Sequence, residues 1–194
     1  FFDTSTEEIR PVPLPKDLAI VLCDTGRKRE LTDSAYNQRR SECEEACELL
    51  GVESLRDATL EDVEKLPNSV PKRRARHVVT ENERVIRFAE ALCRGDKVGF
   101  GMLMAGSHAS LRDDYEVSCE ELDSMFDAAL SSPGCLGCRM TGAGFGGACV
   151  ALVQQNRVGE FLMKVDRTYA RSSDCQPSFA ICSATDGASA VRIS

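Results

Sequence analysis

The residues best suited to chemistry lie between positions 107 and 147. Residues 140–147 read MTGAGFGG, with four glycines in the six positions 142–147. Glycine removes side chains from a turn and admits positive φ angles. Successive backbone N–H groups can then converge on an anion such as phosphate. A tight turn that only permits close packing would use the same residues. Gly142, Gly144 and Gly147 also satisfy G-x-G-x-x-G. The dinucleotide-binding form of that pattern requires a helix after it, whereas ACVALV at 148–153 alternates like a strand. The protein-kinase form runs from strand to strand but needs V-A-I-K, H-R-D and D-F-G segments, and the sequence has none of them. A Walker loop needs Lys and Ser or Thr where Ala148 and Cys149 stand. Spacing alone therefore leaves two readings open, an anion site or a tight turn.

The other reactive types read as structural. Asp113 and Asp114 could serve as an acid and base pair, but beside Arg112 they look like a partly solvated charge cluster at a helix end. His108 shares a helix with Phe100 and Leu111, and is expected to be a hydrogen-bonded packing residue. Cys135 and Cys138 form C-x-x-C after Pro133 and Gly134, at a helix end. A redox pair is expected at a helix N-terminus after a strand. No second pair completes a zinc set, since the two histidines are His77 and His108, so no metal site is expected. The run Lys72, Arg73, Arg74 and Arg76 reads as a solvated loop or helix start.

These residues need elements to hold them. Hydrophobic residues make up 42% and charged residues 28%, which places the chain among ordinary globular proteins, and 194 residues suffice for one buried core. A net charge of −7 argues against nucleic acid as a partner. No apolar run approaches the roughly 20 residues of a membrane span, so no membrane partner is expected. The ten cysteines mostly sit among apolar neighbours, as small buried hydrophobes of a reducing compartment do.

Residues 18–23 read as a buried strand ending in an Asp24-Thr25-Gly26 turn. Tyr36, Cys43, Cys47 and Leu50 mark a helix capped by Thr32 or Asp33 and stopped by Gly51. A short helix or loop covers 55–71. A longer helix follows over about 74–94, and then one capped by Asp96 whose inner face is Phe100, Leu103, Met104, Ser107 and Leu111. Ser118 and Glu121 form a capping box before Leu122, Met125, Phe126 and Ala129. After the glycine run come the strand 148–153 and a helix carrying Val158, Phe161, Leu162, Val165 and Tyr169. Two short strands, 178–183 and 188–193, would pair across Asp186-Gly187. The pattern is α+β, with helices packed on one mainly antiparallel sheet in a single domain spanning 1–194.

The segments taken together resemble a known family. VLCDTGRKRELTDSAYNQRRSECEEA at 21–46, RHVVTENERV at 76–85, SHASLRDDYEVSCEELD at 107–123 and RMTGAGFGGACVALV at 139–153 resemble, in order, the C-terminal half of galactokinases of the GHMP superfamily. The 107–123 segment is what separates galactokinases from mevalonate and homoserine kinases. The resemblance implies a GHMP-kinase C-terminal domain in a protein that transfers a phosphoryl group from MgATP to the C1 hydroxyl of galactose. It implies that Tyr115 contacts the sugar, a task that suits an aromatic face with a directional hydroxyl. It sets Gly142, Ala143, Gly144, Phe145, Gly146 and Gly147 as a loop beside the phosphates. Ala143 stands where galactokinases commonly have glycine, which would cost ~1 kcal/mol if that position needs positive φ.

The resemblance further implies that ATP and Mg2+ are bound mainly by an N-terminal domain. That domain would precede Phe1, carry the catalytic base aspartate, and join through 1–16 as connector. No catalytic residue is then expected in this chain, which by itself would be inactive. The resemblance implies a cytoplasmic location. A non-catalytic sugar sensor on the same scaffold, or a kinase acting on N-acetylgalactosamine, fits the same residues.

Overall fold

The computed structural model describes residues 1–28 and 32–183. Its elements in chain order are β1 (Leu18–Asp24), α1 (Thr32–Leu50), α2 (Leu60–Lys65), α3 (Val70–Arg94), α4 (Lys97–Asp113), α5 (Glu120–Leu130), β2 (Cys135–Thr141), β3 (Ala148–Gln154), α6 (Val158–Tyr169) and β4 (Ser178–Cys182). The four strands form one sheet in the order β2-β3-β1-β4, and every neighbouring pair is antiparallel. With α5 and α6 as its two crossover helices the sheet is a split β-α-β-β-α-β unit, into which α1–α4 are inserted. The α+β expectation holds.

The central strands are apolar on both faces because both faces are covered. Ala19, Val21 and Cys23 of β1 join Cys149, Ala151 and Val153 of β3 in a core completed by Leu122, Met125 and Phe126 of α5 and by Phe161, Val165 and Tyr169 of α6. The alternate residues Leu18 and Leu152 point the other way, onto Ala91 of α3 and onto Phe100 and Met104 of α4. Gly101 lets α4 lie directly on β2, since a Cβ there would come within 2.0 Å of the Leu136 carbonyl oxygen. Between this second face and α3/α4 is a cavity of about 440 Å³ that Val12, Leu14 and Phe88 help to line.

Several elements differ from the sequence reading. The long helix starts at Val70 rather than near 74, because Ser69 caps it and Pro71 fits its first turn, where no intrahelical N–H is needed. The capping box of α5 does not form. Cys119 is the N-cap and makes no side-chain cap bond, while the Ser118 hydroxyl donates to Asp123 Oδ1 at 2.6 Å. A capping box does form three helices earlier, between Thr59 and Asp62 at the start of α2. The segment 135–141, read as the sequel to a helix end, is strand β2. A bulge between Cys135 and Gly137 breaks the alternation, so Cys135 packs against the same core that buries Cys138. β4 pairs with β1, and the strand expected at 188–193 lies outside the described residues. α1 begins at Thr32, and the side chains expected to cap it, Thr32 or Asp33, are not among those described.

Candidate functional site

The glycine-rich loop leaves β2 at Thr141 and re-enters the sheet at Ala148. Gly142, Gly144, Gly146 and Gly147 have φ of 79°, 86°, 120° and 91°, and Phe145 joins them at 58°. Ala143 is not among the positive-φ residues, so the strain expected there does not arise. The unfavourable left-handed geometry falls on Phe145 instead. Two anchors hold this backbone. The Phe145 amide donates to the Val117 carbonyl at 2.8 Å, and Gly144 approaches the same oxygen so closely that a Cβ would stand 2.1 Å from it. At the other end the Gly147 carbonyl accepts from the Thr25 amide at 2.9 Å and the Thr25 hydroxyl at 2.6 Å. Tyr169 in turn donates its hydroxyl to the Thr25 carbonyl at 2.9 Å. Gly144 and Gly146 are buried while Gly142 and Ala143 are exposed. The loop thus divides by position: 144 and 146 are packing glycines, and the 142–143 tip is exposed.

Val117 belongs to the stretch that carries Tyr115, so the two sequence-predicted parts of the site are hydrogen-bonded to each other. The chain leaves α4 with the amides of Asp114 and Tyr115 both donating to the Ser110 carbonyl, at 3.0 and 2.9 Å. Tyr115 is half-buried, with its ring stacked on His77 at 4.4 Å between centroids. Its hydroxyl lies 3.9 Å from Cys43 Sγ. Burial, with Cys43 adding to it, pushes the phenol up to about 12. Tyr36, which the sequence reading used only as a helix marker, is 61% exposed near the start of α1.

Three arginines grip the Tyr115 segment. Arg74 donates from Nη1 to the Asp114 carbonyl, from Nη2 to Glu116 Oε2 and from Nε to Glu42 Oε2, each at 2.6 Å. Arg39 donates to the Tyr115 carbonyl at 2.7 Å and to the Glu116 carbonyl at 3.0 Å. Arg73 reaches Glu116 Oε1 at 2.9 Å. Arg74 is 1% exposed, which corrects the reading of the 72–76 run as a solvated charge cluster. Its partners Glu42 and Glu116 are 32 and 42 residues away, so nothing local to the run announced that one of its members is buried. Glu116 is held below the ordinary carboxylate range by its bond from Arg74. In Glu42, burial raises the carboxyl but Arg74 and Arg39 outweigh it, and the net shift is downward.

The remaining candidates make contacts within the fold. His108 Nδ1 accepts from the Met140 amide at 3.1 Å, and Nε2 faces Asp123 Oδ1 at 3.2 Å. Its ring stacks on Phe126 at 4.0 Å, so it ties α4, α5 and β2 together. Asp113 pairs with Arg112, and Asp114 accepts from the Ser110 hydroxyl at 3.2 Å. Cys135 and Cys138 are free thiols. Among the described residues no group of three or more His, Cys, Asp or Glu could hold a metal ion. No described helix is long and apolar enough to cross a membrane.

A split β-α-β-β-α-β sheet whose glycine-rich β2–β3 loop is tied to the end of an inserted helix defines a class. Residues 88–171 match the family described as GHMP kinases C terminal. Within that class its relatives are galactokinases. It is 45% identical over 193 residues to the galactokinase of Chloroflexus aurantiacus, covering 95% of this chain and 50% of the relative. It is likewise 45% identical to that of Canis lupus familiaris over 191 residues, 96% of this chain and 47% of the relative. The structure of Lactococcus lactis galactokinase complexed with galactose superposes with a TM-score of 0.86 at 37% identity, covering 93% of this chain and 49% of that one. The mevalonate kinase of L. major, at 21% identity and a TM-score of 0.60 over 89% of this chain and 44% of that one, shares the fold. The chain spans about half the length of the curated relatives it matches.

Proposed function

We propose that this chain is the C-terminal half of a galactokinase whose whole protein transfers a phosphoryl group from MgATP to the C1 hydroxyl of galactose. The observation that carries the reading is the 43–45% identity to galactokinases along nearly the whole chain. In this reading the chain is one domain over 1–194, and 1–16 connects it to an N-terminal partner domain. The exposed 142–143 tip faces the phosphates, and the Tyr115 segment lines the sugar side, with Tyr36 as a second aromatic nearby. Phosphoryl transfer depends on positioning and charge stabilisation, and this chain supplies positioning. The catalytic base aspartate and the main ATP-binding loop belong to the other half. Mg2+, when bound, would supply charge neutralisation for the transferred phosphoryl group; among the described residues no group of three or more His, Cys, Asp or Glu could hold it, and its ligands are assigned to the other half as well. The ten free cysteines support a cytoplasmic location.

The test is ADP release from millimolar MgATP and galactose, by purified 1–194 and by the full-length protein. The full-length protein is expected to turn over and the chain by itself to be inactive, since a missing base alone removes roughly 10²–10⁴-fold of rate. Comparable turnover by the isolated chain would place the catalytic residues in this half and overturn the division of labour.

A further inference from the structure

The three consecutive carbonyls of 114–116 all accept from guanidinium groups: Asp114 from Arg74, Tyr115 and Glu116 from Arg39. Glu116 needs this help, because its φ is 54° and a left-handed residue with a Cβ persists only where its surroundings hold it. Val117, next in the chain, sends its carbonyl the other way, to the Phe145 amide. The stretch is thus clamped between two arginines on one side and the glycine-rich loop on the other. Arg74 is the keystone of the first side. It is the fully buried member, and its fork joins α3 to the end of α4 through the Asp114 carbonyl and to α1 through Glu42. Glu42 also receives Arg39 Nη1 at 3.1 Å, so Arg74 orients the second arginine through a shared carboxylate.

We propose that Arg74 is a positioning residue that sets the sugar-side segment and, through Val117 and Phe145, the glycine-rich loop as one unit. The proposal rests on the galactokinase reading for its kinetic consequence and on geometry alone for its mechanical one. Lysine cannot replace the group, because one ammonium cannot make three bonds in the planar fork that a guanidinium supplies. No described residue of the clamp is asked to move a proton or touch a phosphate. Its effect would reach the chemistry through the placement of backbone.

The experiment compares the full-length protein with its Arg74→Lys and Arg74→Gln variants by amide hydrogen exchange and steady-state kinetics. In Arg74→Lys, amides of 114–118 and 144–146 are expected to exchange about tenfold or more faster while those of 149–153 keep their protection, as in a local opening. The galactose KM is expected to rise about tenfold or more, with the ATP KM rising less and kcat changing least. Faster exchange confined to 114–118, with Phe145 unaffected, would overturn the coupling. Exchange rising evenly through the β-strands, with all kinetic constants falling together, would overturn the positioning role in favour of a purely structural one. Should the Arg74 variants fail to fold, Glu116→Gln removes the two ion pairs with Arg73 and Arg74 while leaving the three carbonyl bonds in place. It is then expected to give the same two-peptide pattern in weaker form, and an unchanged pattern would count against the clamp. If the unmodified full-length protein phosphorylates no galactose, the functional reading fails while the exchange arm still decides the clamp.

Discussion

The Phe145 amide donates to the Val117 carbonyl at 2.8 Å, and this bond joins the two stretches that sequence comparison treats as separate motifs. One is the turn after α4 that carries Tyr115, the other the loop between β2 and β3. Their contact leaves no room for a side chain at Gly144, whose added Cβ would meet the Val117 oxygen at 2.1 Å.

Gly144→Ala should therefore destabilise the protein by about 2–4 kcal/mol, from left-handed strain combined with overpacking. Ala143→Gly, one residue away on the exposed tip, should change stability by less than about 1 kcal/mol. Urea denaturation midpoints of the two variants check the contrast, and similar costs at both positions would show that the loop is not anchored at Val117.

Tyr115→Ala in the full-length protein should raise the galactose KM more than the ATP KM, by an amount worth ~1–3 kcal/mol for a lost hydrogen bond and ring contact. Tyr115→Phe isolates the hydroxyl from the stacking on His77. Equal effects on both substrates would assign Tyr115 a folding role instead.

Acid should destabilise the fold before its carboxylates titrate. Burial lowers His77 from 6.5 to about 4, and burial also lowers His108. Between those values the unfolded chain binds more protons than the folded one. The stability His77 contributes is thus complete above pH 6.5 and is lost as pH falls toward about 4. The slope should approach about 1.4 kcal/mol per pH unit for each neutral buried histidine. His77 and His108 are the two histidines of the sequence, so denaturation between pH 7 and 5 reports on them. His77→Gln should flatten the slope, whereas stability independent of pH in that window would mean that both rings are free to protonate.

Thiol labelling should sort the cysteines by burial. Cys93 and Cys182 are exposed, and Cys23, Cys138 and Cys149 are buried. Burial pushes the Cys135 thiol up to about 11 and raises Cys23 well beyond the ordinary thiol range. An aromatic disulfide reagent at pH 8 should therefore titrate Cys93 and Cys182 in the native protein and reach Cys23, Cys138 and Cys149 only after denaturant is added. Rapid labelling of Cys138 would contradict the packed first face of the sheet.

What the sequence determined by itself was whatever depends on neighbours along the chain. Apolar alternation located β1 and β3, helical spacing with Asp96 and Gly95 located α4 and the end of α3, and the glycine run located the loop. The order of four motifs carried the resemblance to galactokinases, because such a match requires no knowledge of contacts. Cys135–Thr141 escaped as a strand because a bulge disturbs its period and two glycine-punctuated residues before it read as a helix stop. Arg74 escaped for a different reason. A guanidinium is expected in water unless its charge and five donors are matched, and the matching carboxylates and carbonyl come from α1 and from the turn after α4. The tertiary fold likewise decided that left-handed geometry falls on Phe145 rather than Ala143, because the Val117 carbonyl fixes where the loop must turn. Local pattern shows which residues can bend or charge a segment, and long-range partners choose which of them do.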